Sequence, residues 1–149
     1  MEQTFVMIKP DGVQRNFIGE IIRRFEQKGL KLAGMKFIKI DRATAEEHYK
    51  EHVGKKFYEG LIAYITSGPV VVMVWEGNNA VAVARKLLGV TNPAEADPGS
   101  IRGAFGLDIG RNIIHGADSP ESARREIAIY FQPHEVLKYE KTIDTWVYE

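Results

Sequence analysis

Val70-Val71-Val72-Met73-Val74-Trp75 is the longest apolar run in the chain, and its reading decides the fold. The run is far too short to span a bilayer, which takes about 20 apolar residues as a helix. It follows Ser67-Gly68-Pro69, a turn signal, and reads as a strand buried on both faces or nearly so. Before it, Phe57–Thr66 has the pattern of a short helix. After it, Asn79–Leu88 is helical, with Gly89 as its stop. Further upstream, Thr4–Ile8 is apolar and reads as a strand that breaks at the turn signal Lys9-Pro10-Asp11-Gly12. Ile18, Ile21, Ile22 and Phe25 recur at helical spacing up to Gly29. Lys31–Asp41 alternates apolar and polar residues: Leu32, Ala33 and Gly34 are ambiguous, while Lys36-Phe37-Ile38-Lys39-Ile40 suits a second strand, and Thr44 with Glu47 forms a capping-box pattern that starts a helix near Ala45.

Downstream, Val90–Gly110 is rich in Gly and Pro and lacks periodicity. A loop of that length in a small domain is uncommon unless it is functional. Ser119-Pro120 opens a helix, expected to be short because Ile127–Phe131 prefers a strand. Pro133–Tyr139 suits a last helical turn. The order is that of an α+β, ferredoxin-like split β-α-β-β-α-β sandwich. It predicts a four-stranded antiparallel sheet with helices on one face. Many functions use this architecture, so the fold alone does not decide function.

The 149 residues suit one domain, 1–149, with a single core. With 20 basic and 20 acidic residues the formal charge is zero. Nothing in that balance suggests general affinity for nucleic acid or an anionic membrane. The absence of cysteine excludes a disulfide framework, a thiolate zinc site and a cysteine nucleophile. Met1–Asp11 has no basic region followed by a long apolar stretch. The expectation is a cytoplasmic protein.

Asn112-Ile113-Ile114-His115-Gly116-Ala117-Asp118-Ser119 carries the chemistry. Gly116 lets the backbone turn and leaves space beside the His115 imidazole. A histidine nucleophile needs a neutral ring with one nitrogen free and the other held by a partner that fixes the tautomer. Glu126, just past the expected short helix, is the nearest carboxylate in sequence that could turn back to do this. A lone histidine ending an apolar run is nevertheless more often structural. His48, His52 and His134 are expected on helix surfaces, solvated.

There is no G-x-x-x-x-G-K-[ST] loop and no protein-kinase set. A bound polyphosphate would therefore be held largely by side chains near breaks in the pattern: Lys9, Arg85, Arg102 and Arg111. For each the commoner fate is a solvated surface charge. Phe57 and Leu61, one helical turn apart, could clamp a nucleobase, although spacing alone favours core packing. Tyr49 could donate its hydroxyl to a phosphate or pack.

Together these segments resemble the nucleoside-diphosphate kinase family over essentially the whole chain. The match runs through Met7–Val13, His48-Tyr49, Ser67–Val70, Met73–Gly77, Leu88-Gly89, Thr91–Ala94, Pro98–Gly103, Gly110–Gly116 and Trp146–Glu149. The resemblance implies that His115 takes the terminal phosphate of a nucleoside triphosphate, typically ATP, and passes it to a diphosphate in a ping-pong cycle. The ring nitrogen nearer the backbone would carry the phosphate, and Glu126 would hold the other. Lys9, Tyr49, Arg85, Thr91, Arg102 and Asn112 match the family's phosphate and ribose contacts, and Phe57 and Leu61 the residues flanking the base. Magnesium would travel with the nucleotide, with few or no strong protein ligands, and Asp118 matches an aspartate that could reach it through water. The Thr91–Gly103 loop would overhang the site and form subunit contacts. The tail ending Trp146-Val147-Tyr148-Glu149 resembles the hexameric rather than the tetrameric branch. The family usually has Ser where this chain has Ala117, which puts the packing around His115 and Glu126 in question.

Two other readings compete. A non-catalytic nucleotide-binding regulatory domain on the same scaffold would lose His115 or the cationic set, and all are present. A single-stranded nucleic-acid binder would carry basic-aromatic strand motifs, and none of the expected strands does.

Overall fold

The computed structural model describes residues 1–149. In chain order the elements are β1 (Glu2–Ile8), α1 (Pro10–Gln14), α2 (Ile18–Lys28), β2 (Lys31–Ile38), α3 (Arg42–His48), α4 (Tyr58–Ile65), β3 (Val70–Gly77), α5 (Ala80–Leu88), α6 (Ile101–Phe105), β4 (Ile114–Gly116), α7 (Pro120–Tyr130) and α8 (Asp144–Val147). The four strands form one sheet in the order β2-β3-β1-β4. Every pairing is antiparallel, with Phe5 opposite Val74 and His115 opposite Met7. This is the ferredoxin-like α+β sheet expected from the strand pattern.

Side chains alternate across the central strands. Phe5, Met7, Val70, Val72 and Val74 pack on one face with Ala45, Ile62, Ile65, Ala123 and Tyr130 of α3, α4 and α7. Val6, Ile8, Val71, Met73 and Trp75 pack on the other with Ile21, Phe25, Ala84 and Leu88 of α2 and α5. Helices therefore cover both faces, not one. The burial of Val70–Trp75 on both sides requires this, because an apolar strand cannot leave one face to water. No helix is long and apolar enough to cross a membrane.

Several local expectations are corrected. The Lys9–Gly12 break is not a simple turn, since Pro10 starts α1 and its fixed φ suits a first helical position. Strand β2 runs Lys31–Ile38, so it takes in the ambiguous Leu32-Ala33-Gly34 and ends before Lys39 and Ile40. Asp41, not Thr44, caps α3: its carboxylate accepts from the Thr44 backbone N–H at 2.7 Å. The Val90–Gly110 loop contains α6 and two short 3-10 turns, Pro93–Glu95 and Ile109–Arg111. Ile127–Phe131 is not a strand. Helix α7 runs through Tyr130, placing Tyr130 and buried Glu126 on its core side, and β4 supplies the fourth strand. Only Pro133–Glu135 of the Pro133–Tyr139 stretch is helical, as a single 3-10 turn.

Candidate active site

His115 sits on the three-residue strand β4, beside Met7 of β1. The residue two places before it, Ile113, has φ +75°. A β-branched residue there is strained and persists only where its surroundings hold it. Here the hold is explicit. The Ile113 N–H donates to the Asp11 carboxylate at 3.0 Å, and the Lys9 N–H donates to the Ile113 carbonyl at 2.8 Å. Asp11 also accepts from the Tyr64 hydroxyl. Gly12 completes the seat, since a Cβ there would lie 2.9 Å from the Ile113 carbonyl oxygen and 2.7 Å from the Ile8 side chain. Gly12→Ala is expected to cost about 1–3 kcal/mol in stability and, where His115 is the nucleophile, to slow its reaction by shifting the backbone that seats it. Denaturant unfolding and single-turnover rates would check both.

The His115 ring is held at one nitrogen. Nε2 lies 2.7 Å from Glu126 Oε1 on α7. An ionised carboxylate only accepts, so Nε2 carries the proton and Nδ1, nearer the backbone, keeps a free lone pair. Burial, then Lys9, Arg102 and Arg85, hold the His115 pKa well below the usual imidazole value. The ring is thus neutral at physiological pH, as a nucleophile requires. Burial also pushes Glu126 up, to about 6, against the pull of His48, Arg125 and Arg85.

The cations come from separate elements. Lys9, ending β1, donates from Nζ to Asn112 Oδ1 at 2.7 Å, and the Asn112 amide donates to the Thr91 carbonyl at 3.2 Å. Burial first, then Arg102, lower the Lys9 pKa to about 8, so it stays largely charged at neutral pH. Arg85 of α5 donates to the Gly116 carbonyl at 3.1 Å. Arg102 of α6 is only 3% exposed and donates to the carbonyls of Asn112, Gly89 and Ile114 at 3.3, 2.9 and 2.6 Å. Lys9, Arg85 and Arg102 are therefore not solvated surface charges. Arg111 is exposed, lays its guanidinium over the Tyr64 ring, 4.5 Å from its centre, and donates to the Gly110 carbonyl at 2.7 Å.

Tyr49 is buried and its hydroxyl has no partner. Phe57 is 54% exposed and Leu61 half-buried, so Phe57 does not fill the core and presents a face to solvent. Asp118 is exposed, and the neighbouring Ser122 hydroxyl is the main influence holding its pKa down. It belongs to no group of three or more side chains placed to ligate a cation. The nitrogen-rich group His48, His115 and Glu126 does bring ligand atoms within 4.8 Å of one another. It does not suit magnesium, which takes oxygen ligands.

A family model described as nucleoside diphosphate kinase matches residues 2–136. The chain belongs to the nucleoside diphosphate kinase family. Among its relatives, the nucleoside diphosphate kinase of Carboxydothermus hydrogenoformans is 62% identical over 149 residues, all of both chains. That of Heliobacterium modesticaldum is 60% identical over the same span. The structure of the halophilic enzyme from Halobacterium salinarum in complex with CDP superposes with a TM-score of 0.97 at 51% identity, covering 99% of each chain. A nucleoside diphosphate kinase family protein from Babesia bovis gives 0.97 at 45% identity, covering 99% of this chain and 100% of that one.

Within this family site, three features escaped the sequence. His48, expected on a solvated surface, is 4% exposed, with Nδ1 2.7 Å from the Tyr130 hydroxyl. Its position at the end of α3 put its face beyond reach of local periodicity. Asp11 read as a turn residue, because its partners Ile113 and Tyr64 are remote in sequence. The strain at Ile113 has no compositional signal. His52 is half-buried and His134 exposed. Ala117 packs in the apolar cluster with Phe5 and Tyr130.

Proposed function

We propose that this protein is a nucleoside diphosphate kinase in which His115 Nδ1 carries the phosphate between nucleotides. The observation that carries the reading is the His115–Glu126 bond at 2.7 Å, which leaves Nδ1 unprotonated beside a set of partly buried cations. In the first half-reaction the Nδ1 lone pair attacks the terminal phosphorus in line, and the bond to the bridging oxygen breaks. The nucleoside diphosphate leaves with that electron pair. The second half-reaction is the reverse onto another diphosphate. Positive charge develops on the imidazole and is stabilised by Glu126, while Lys9, Arg85 and Arg102 stabilise the transferring oxygens. Tyr49, whose buried hydroxyl has no partner, would donate to the phosphate chain. Asn112 and Thr91 would position the ribose and phosphates, and Phe57 with Leu61 would flank the base. Support for a diphosphate acceptor comes from the Halobacterium salinarum relative, described in complex with CDP.

Magnesium fits as a passenger of the nucleotide, held by its phosphates, with Asp118 as the one exposed carboxylate to reach it through water. Bound there it would neutralise phosphate charge. The protein would work in the cytoplasm, without a membrane or nucleic-acid partner, as one domain over 1–149.

It would also work as a homo-oligomer, a hexamer in preference to a tetramer. Edge strand β2 exposes Phe37 to 65%, and α8 exposes Trp146 to 89%. Sedimentation should give a species several times the 16.8 kDa chain, and a stable monomer would remove this assignment.

The deciding experiment mixes protein, magnesium and triphosphate labelled on the terminal phosphate, without acceptor. Label that is lost in acid, survives alkali and moves to added diphosphate is expected. Nucleotide binding without label would favour the regulatory-domain alternative. The pH dependence follows from Glu126. A protonated Glu126 would donate to Nε2 and force the proton of the neutral ring onto Nδ1, blocking the nucleophile. Phosphoenzyme formation should therefore fall as pH drops through about 6. Glu126→Gln should slow it by about 10–100-fold and flatten that limb.

A further inference from the structure

Glu126 has two oxygens, and only Oε1 is used by His115. The other faces a second histidine. His48 Nε2 lies 3.8 Å from Glu126 Oε2, and both side chains are almost fully buried. His48 Nδ1 lies 2.7 Å from the Tyr130 hydroxyl. The two imidazoles meet edge-on, with ring centres 4.9 Å apart. Tyr130 belongs to α7, one helical turn beyond Glu126, so a single helix carries both groups that touch the histidines.

The His48 tautomer follows by counting protons. A neutral imidazole has one N–H and one lone pair. If Nδ1 carried the hydrogen, it would donate to Tyr130. The phenol proton would then need another acceptor, and none lies within hydrogen-bond reach of this buried hydroxyl. The bare Nε2 lone pair would also point at a carboxylate. If the phenol donates to Nδ1, both conflicts vanish. The hydrogen then sits on Nε2, directed at Glu126 Oε2. Burial holds the His48 pKa far down, which keeps the ring neutral and the argument intact.

We propose that Tyr130 and His48 are positioning residues for the nucleophile: the Tyr130 hydroxyl locks His48 as its Nε2–H tautomer, and that N–H dipole orients the Glu126 carboxylate and favours its charged form. The inference rests on the reading of His115 as the phosphate carrier. At rest the contact is too long for a hydrogen bond. A closing movement of about 1 Å would make one. That movement is favoured when positive charge develops on His115 and Glu126 must hold its own charge firmly. The other groups around Glu126 do not replace this role. Arg125, on its own helix, donates to the backbone carbonyls of Glu47 and His48. Arg85 on α5 donates to the Gly116 carbonyl. Asp118 is itself acidic. Tyr49, after α3, stacks on His48 with ring centres 4.4 Å apart and has no hydrogen-bonded partner. Ala117 offers no hydroxyl. His48 is thus the neutral donor aimed at the second carboxylate oxygen.

Tyr130→Phe removes the hydroxyl while keeping the ring stacked on Phe5, 5.0 Å between centres. Nitrogen-15 spectra of the histidine side chains report the tautomer without reference to activity. Wild-type His48 should be Nε2–H, and Tyr130→Phe should shift it towards Nδ1–H. In the same variant the acid limb of phosphohistidine formation should move up by about half a pH unit, because Glu126 protonates more readily. From that shift the rate at pH 6.5 should fall about 1.5-fold, approaching about 3-fold well below pH 6, with nucleotide KM unchanged. His48→Gln replaces the ring by an amide donor that needs no tautomer lock, so adding Tyr130→Phe to it should change little. An Nδ1–H wild-type His48 would overturn the proposal. So would a Tyr130→Phe variant with unmoved tautomer and acid limb, or one with equal effect in the His48→Gln background. Failure of the wild type to take up label would end the catalytic role. It would be distinguishable, because the tautomer spectra stand independently of turnover.

Discussion

His115→Ala should retain the fold and lose nucleotide-dependent phosphoryl transfer by at least about 10⁴-fold, since it deletes the atom proposed to carry the phosphate. The fold should survive because the ring is not a core element. Its side chain remains 21% exposed, and β4 is fixed by backbone pairing to Val6–Ile8 of β1. The partner left behind, Glu126, can take a proton and remain buried as a neutral acid, at a cost reduced by its already elevated pKa. Thermal unfolding and phosphate exchange between nucleotides would check both halves. Appreciable nucleotide-dependent turnover in the variant would sink the covalent mechanism.

The second large effect is expected at Arg102, where stability and activity should fall together. Truncation to alanine leaves the carbonyls of Asn112, Gly89 and Ile114 without their guanidinium donors in a buried setting. That should cost about 3 kcal/mol or more in unfolding free energy. It also removes a cation from the proposed phosphate site, worth a further ~100-fold or more in rate at a temperature where the variant is folded. Arg102→Lys separates the two roles. One ammonium cannot reach three divergent carbonyls, so stability should stay low, while a positive charge keeps part of the activity. A fully stable, fully active Arg102→Ala would contradict the placement of this residue.

The sequence made the central sheet legible because its signals are local. Val70–Trp75 and Thr4–Ile8 announce themselves by apolar runs bounded by turn residues, and Gly29 ends α2 in a left-handed conformation, φ +104°. Helix α7 misled because Ile127, Ile129 and Tyr130 read as a strand in isolation. Their helical state is settled by the Ser119 cap, Pro120 at the first turn, and burial of Ala123, Glu126 and Tyr130 on one side. In the site, His115 and Glu126 were visible from eleven residues of separation. The Lys9–Asn112 contact bridges 103 residues and Asp11–Ile113 bridges 102, so no local pattern could contain them. His48 was misread for the same reason: its partner Tyr130 lies 82 residues away.

Phe57 offers a flat, half-open ring with no donor or acceptor on it, and its neighbour Leu61 has none either. Flanking the base as proposed, such a surface would grip a purine or pyrimidine by its face and inspect neither by its edge. Chemical identity of the base would then drop out of the exchange, and mass action alone would set which way the phosphate flows. Such a protein acts as a conduit between nucleotide reservoirs, drawing each triphosphate-to-diphosphate ratio towards that of the most abundant pair.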